Sequence, residues 1–137
     1  MASEPRAGSD RIEVEAPLDP SLRGVFRLVV AGISEQASFG FEEMDDLQLA
    51  IERLLAEAGS EGRVGVSFEI SPEGIRTRVG PLPEGRLAEA LQEPEAAPGT
   101  LTLNRILSAV VDSFGVEPAE DGQIVVRLEK LLGAPPR

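Results

Sequence analysis

The sequence predicts an α+β domain, a two-layer sandwich with three main helices on one face of a mostly antiparallel sheet. Three stretches carry apolar residues at spacings of three and four, the period of a helix face. Four others alternate apolar with polar residues, the period of a half-buried strand. The order is strand, helix, helix, hairpin, loop, helix, strand, and such strands cover their apolar face with helices.

The first strand is Arg11–Ala16, RIEVEA, with Ile12, Val14 and Ala16 on one face. Asp19-Pro20 supplies an N-cap and a first-turn proline. Leu22, Val25, Phe26, Val29, Val30 and Ile33 then form a helical stripe ending near Ser38-Phe39-Gly40. The second helix runs Phe41–Ala58, with Met44, Leu47, Ala50, Ile51, Leu54, Leu55 and Ala58 as its apolar face. Glu42, Glu43, Asp45 and Asp46 fill its first turn, where acids complement the helix dipole, and Gly59 ends it. Val64, Val66, Phe68 and Ile70, then Ile75, Thr77 and Val79, make a hairpin around Ser71-Pro72-Glu73-Gly74.

From Gly80 to Gly99 the sequence reads as a loop punctuated by Pro81, Pro83, Pro94 and Pro98, with a short helix at 86–92. Leu103, Ile106, Leu107, Val110, Val111 and Phe114 resume a helical stripe. A turn at Glu120-Asp121-Gly122 precedes the last strand, where Ile124, Val126 and Leu128 share a face. Residues 1–10 and 133–137 are expected to be disordered tails around a single domain, 11–132.

Composition narrows function. The 137 residues include no His, Cys, Tyr or Trp. That excludes His-based triads, His- or thiolate-held zinc, and disulfides. Aromatic stacking platforms are poor and the formal net charge is −11, so nucleic acid is not an expected partner. The same field steers basic proteins inward. No apolar run is long enough for a membrane span, and MASEPRAGSD lacks a signal-peptide core, so the cytoplasm is the expected compartment.

LRGVFRLVVAGI in the first helix, MDDLQLAIERLLAEA in the second, LNRILSAVVDSFGV in the third and DGQIVVRLEKLL at the end resemble the GHKL (histidine kinase/HSP90-like) ATPase superfamily. The bacterial anti-sigma factor serine kinases are the branch they look most like, over roughly 11–132. The resemblance implies an Mg-ATP site of three parts. A Glu general base and an Mg-binding Asn on the second helix correspond here to Arg53 and Glu57. A D-x-G-x-G adenine-binding turn corresponds to Gly80-Pro81-Leu82-Pro83-Glu84-Gly85, which has no Asp. A Gly-rich phosphate lid corresponds to Pro98–Thr102, with Gly99 as its one glycine.

An arginine stays protonated and cannot accept a proton from a serine. Glu57 can ligate Mg²⁺, but it adds negative charge beside a triphosphate. The resemblance therefore implies a degenerate member, a pseudoenzyme. It would be a non-catalytic regulator with no cofactor, binding a sigma factor or antagonist in a partner-switching pathway. The acidic first two helices and the 80–100 loop would form the surface, and a homodimer is implied by the same likeness. One alternative is an active kinase using ATP and Mg, with Glu52 or Asp46 recruited as base. Another is an adaptor domain without signalling chemistry. Arg53 and Glu57 are also placed for an i,i+4 ion pair. Arg76 and Arg78 read as a solvated strand face, the Asp45-Asp46 cluster as a cap, and Ser108 and Ser113 carry no modification signal.

Overall fold

The structure, a computed structural model, describes residues 10–92 and 102–133. Five strands form one antiparallel sheet: β1 Asp10–Pro17, β2 Arg63–Ser71, β3 Gly74–Pro83, β4 Ser113–Pro118 and β5 Gln123–Leu131. Their spatial order is β1-β2-β3-β5-β4. Four helices accompany them: α1 Arg23–Gln36, α2 Phe41–Ala58, α3 Gly85–Gln92 and α4 Leu103–Val110. The expected α+β architecture is borne out.

Strand alternation sorts the sheet into two unlike faces. Val64, Val66, Phe68, Ile75, Thr77, Val79, Leu82, Val126 and Leu128 point inward and are essentially inaccessible. Phe26, Val30 and Ile33 of α1, Leu47, Ile51, Leu54 and Leu55 of α2, and Leu87, Leu91 and Leu107 of α3 and α4 join them in one core. Burying a Leu, Ile or Phe side chain contributes about 1.5–3 kcal/mol, so this seam dominates the stability. Thr77 is fully buried, and its hydroxyl has no hydrogen-bond partner among the described residues.

Local chemistry sets the element ends. The Asp19 carboxylate accepts from Ser21 N–H at 3.0 Å and opens a 3₁₀ turn, Pro20–Leu22, that leads into α1. That hydrogen bond holds the Asp19 carboxyl below its ordinary range. The Glu43 carboxylate accepts from Gly40 N–H at 2.7 Å at the start of α2. Between α1 and α2, Arg27 makes a two-pronged bond to Glu52, 2.7 and 2.9 Å, and the buried Gln48 amide donates to Arg27 O. Lys130, the chain's sole lysine, donates to Asp46 of α2 (3.0 Å) and to Val110 O at the end of α4 (2.9 Å). A cation there is favoured by the exposed carbonyls of the helix end.

Two sequence expectations need correction. The third helical stripe does not run to Phe114: α4 stops at Val110, and Ser113–Pro118 forms β4. Asp112 N–H donates to Glu129 O, so the sheet captures the chain there. The loop expected from Gly80 does not begin there either. β3 continues to Pro83, with Leu82 opposite Ile124 and Pro83 opposite Gln123 after a register shift. Leu82 is fully buried, which holds the strand on the sheet despite the two prolines flanking it. Gly80 (φ +148) is required at that irregularity, because a Cβ would lie 2.8 Å from Ile124 O. The short helix at 86–92 is present as α3. The tail residues 1–9 and 134–137 lie outside the described residues, and β1 begins at Asp10.

The outer face is polar and cross-linked. Arg78 and Arg127 stand directly opposite each other on β3 and β5, and Glu117 of β4 bridges them at 3.2 Å to each. Glu129 accepts from Ser113 Oγ at 2.6 Å and from Arg76 at 2.9 Å. Arg78, then Arg127, hold the Glu117 carboxyl below its ordinary 4.5. For Glu129 the Ser113 hydroxyl acts first, then Arg76.

This packing makes two effects measurable. Thr77→Val removes an uncompensated buried hydroxyl and should raise stability by about 1 kcal/mol, read as a melting temperature a few degrees higher. Because Glu117 and Glu129 have depressed native values, their contribution is complete above the unfolded value near 4.5 and is lost as pH falls through the lower native values. Denaturant titrations from pH 7 to 3 should show a loss confined to the acid end, smaller in Glu117→Gln.

Candidate functional site

Helical geometry settles which side of α2 presents Arg53 and Glu57. Seven residues make nearly two turns, so Arg53 lies on the same flank as Asp46, and Glu57 lies one turn further on. Asp46 is held by Lys130 beside the end of α4. The Arg53–Glu57 flank is therefore the one turned toward α4. The opposite flank carries Gln48 and Glu52 and packs on α1. Arg53 is exposed and Glu57 half-buried. No ion pair or hydrogen bond joins either side chain to a described residue, so the i,i+4 pair expected from their spacing does not form.

The neighbouring carboxylates are committed elsewhere. Glu52 is clamped by Arg27 on the α1 side. Asp46 is clamped by Lys130, only 14% of whose side chain is exposed. Recruiting either as a base means breaking an ion pair, and recruiting Glu52 also means turning the helix against its buried stripe. Among the described residues no group of three or more acidic side chains is placed to hold a metal ion. Glu57 is the one carboxylate on this flank at the position where the resemblance puts a magnesium ligand, and Mg²⁺ binding calls for oxygen ligands in octahedral array. Among the described residues, those at positions 53 and 57 are not the general base and the amide ligand that the likeness implies for Mg-ATP.

The other expected site residues are scattered through structural roles. Gly80 and Pro81 belong to β3, at the register shift between Val79 and Leu82 in its pairing with β5. The Gly80–Pro81 peptide bond is cis. Gly85 is the first residue of α3. Gly99, Pro94 and Pro98 lie outside the described residues, and so does the expected lid apart from Thr102. At the start of α4, the Thr102 hydroxyl accepts from Arg105 N–H at 3.2 Å and caps the helix. The Asn104 amide donates to Leu91 O and ties α4 to the last turn of α3.

Sequence reasoning missed two features. An open concavity of about 560 Å³ lies on the outer sheet face, floored where Gly65 stands opposite Gly80 and flanked by Glu13 and Arg78. It is on the far side of the sheet from Arg53 and Glu57. The paired glycines are its only signal in the sequence. Several large apolar side chains of the helix layer are solvent-exposed: Phe41 76%, Leu28 74%, Val25 41% and Leu49 39%. The helical spacing puts Val25 in the core stripe, but it lies on the rim of α1.

Because Arg53 and Glu57 have no partners among the described residues, replacing both with Ala should change stability by less than about 0.5 kcal/mol. Urea unfolding of the double variant checks this, and a larger loss would mean the two side chains hold the flank together.

No protein-family model matches the chain. It is similar to the serine-protein kinase RsbW of Oceanobacillus iheyensis, 26% identical over 77 residues, covering 51% of this chain and 49% of the relative. The RsbW of Bacillus pumilus is 29% identical over 68 residues, 43% of this chain and 42% of the relative. The RsbW of Bacillus licheniformis is 25% identical over 72 residues, 47% and 45%. The matches span about half the length of these curated relatives. The resemblance to anti-sigma serine kinases carried by the helix and strand phrases is thus met by distant similarity to proteins of that kind.

Proposed function

We propose that this chain is a non-catalytic regulator of the anti-sigma kinase type, acting by binding a protein such as a sigma factor or its antagonist. One observation carries the reading. The α2 position that resembles the family's general base is an exposed, permanently cationic Arg53, and Glu52 and Asp46, the two carboxylates weighed as its replacement, are held in ion pairs. A guanidinium cannot draw a proton from a serine hydroxyl. Regulation then runs by mass action, through sequestration and release of the partner, with no bond made.

The helix layer supplies the surface in this reading. α2 carries Glu42, Glu43, Asp45, Asp46, Glu52 and Glu57 against one basic residue, Arg53. Phe41 and Leu28 project from the same layer with about three quarters of their area exposed. Phe41 opens the acidic first turn of α2, and an exposed apolar side chain beside acidic ones suits a partner with an apolar centre and a basic rim; Leu28 lies on α1, beside Arg27. Among the described residues no helix is long and apolar enough to cross a membrane.

Two measurements test the proposal. Mg-ATP at 100 times the Kd of a binding protein would add about 2.7 kcal/mol and several degrees of melting temperature. No shift is expected here, and none in Arg53→Glu. A clear shift, or labelled phosphate on a serine of the antagonist, would overturn the reading in favour of an active kinase. Leu28→Glu and Phe41→Ala should each weaken a sigma factor or antagonist from the same organism about tenfold or more, as interface anchors do, while stability stays unchanged. Unaltered affinity in both would move the interface off this layer.

A further inference from the structure

Each residue of an antiparallel strand directs its N–H and C=O to one side only, and the sides alternate. Leu18 N–H donates to Gly62 O at 2.7 Å, in the same register that sets Ala16 opposite Val64. The even-numbered residues of β1 therefore bond to β2. Arg11, Glu13 and Glu15 turn their backbone N–H and C=O groups the other way, to the outside of the sheet. Among the described residues no strand lies beyond β1.

The two sheet edges differ. At β4, Ala119 N–H donates to Gln123 O, so the odd-numbered residues bond to β5 and the open side falls to Phe114, Val116 and Pro118. Pro118 has no N–H, and the strand is six residues long. That edge is short and blunted. β1 is eight residues long, keeps an unbroken register and has no proline before Pro17. Ile12 points to the core side yet is 37% exposed, whereas its β2 neighbour Phe68 is fully covered. The apolar layer stops one strand short of covering Ile12.

We propose that the β1 edge takes up an extended segment of a partner protein as a sixth strand. Its apolar residues would lie over Ile12 and Val14, and its alternate basic residues would face Glu13 and Glu15. Main-chain bonds to Arg11, Glu13 and Glu15 hold such a strand, and the alternating side chains select it. Charge chooses the occupant. The chain carries −11, so a second copy arrives repelled and a basic segment arrives steered. The Glu13 and Glu15 side chains are 66% and 69% exposed, and each touches one arginine, leaving acceptor capacity for another donor. This surface is separate from the helix layer and does not depend on the reading proposed for it.

Amide hydrogen exchange on the full chain tests the inference, with a short synthetic peptide alternating Lys and Val as the probe. At saturation, exchange at the Arg11, Glu13 and Glu15 amides should slow about tenfold or more, while the Ile12 and Val14 amides, already bonded to β2, stay as they were. Glu13→Pro deletes an edge donor without touching the β2 ladder and should abolish the effect. Glu13→Gln should weaken it and keep it. A copy of the peptide N-methylated along one edge should fail against the unaltered chain, which keeps the test valid should the proline variant not fold. No slowing at the three amides, or equal slowing by a scrambled peptide of the same composition, would overturn the proposal. So would three amides already slow in the free protein. Slowing that depends on protein concentration would mean a second copy closes the edge, and slowing independent of it would mean the chain covers its own edge. Leu28→Glu should leave all of these results unchanged, so failure here and failure of the helix-layer reading are separable.

Discussion

One asymmetry governs this molecule: the sheet is apolar on one face and charged on the other. Alternation puts Val66, Phe68, Val79, Val126 and Leu128 on the inner face, and water cannot satisfy that surface. The helices have to cover it, and each presents a buried stripe to do so. The outer face needs no cover, because Arg76, Arg78 and Arg127 stand among Glu69, Glu117 and Glu129 and neutralise one another. Glu117 is needed there for a local reason. Two arginines face each other across β3 and β5, and a directly opposed like-charge pair is destabilising unless something bridges it.

The same asymmetry explains why the polar contacts of the helix layer are few and placed at seams. Arg27, Gln48 and Glu52 lock α1 to α2, and Lys130 locks the start of α2 to the end of α4. These contacts fix the rotation of α2 about its axis. That rotation leaves Arg53 and Glu57 on the flank toward α4, with no partner among the described residues, and turns Glu52 and Asp46 into structural acids. A helix that looks like a nucleotide-holding one keeps its apolar stripe here while its polar positions carry other residue types. Packing and chemistry draw on different residues of one helix, so a fold can persist while a site changes. The similarity to the RsbW kinases, at 25–29% identity over about half their length, accords with a likeness carried by core patterns.

Much of the fold was legible in the sequence. The Asp19-Pro20 start, the α2 stripe, the Ser71–Gly74 turn and the Asp121-Gly122 turn each have local causes, a capping oxygen, a hydrophobic period or a residue suited to positive φ, and local causes can be read locally. The sequence misleads where two local signals compete. Val111 and Phe114 extend the helical spacing of Leu107 and Val110, while Phe114 and Val116 also alternate as a strand does. Phe114 opposite Leu128 and Val116 opposite Val126 are long-range pairings, and they decide in favour of the strand. Likewise Pro81 and Pro83 announce a loop, but burial of Leu82 against β5 holds the chain in the sheet.

The candidate site divides along the same line. Residue types alone determined that position 53 carries a fixed positive charge, that no imidazole or thiolate is available anywhere in the chain, and that the first turn of α2 is acidic, since these are properties of side chains rather than of arrangement. Only the tertiary structure decided that Arg53 and Glu57 do not pair, that Glu52 and Asp46 are already engaged, and that the first strand ends the sheet with its odd-numbered amides facing outward. Those outcomes depend on which helix flank meets which neighbour and on which strand comes last in spatial order. Both are set by contacts between residues far apart in the chain, which no local pattern encodes.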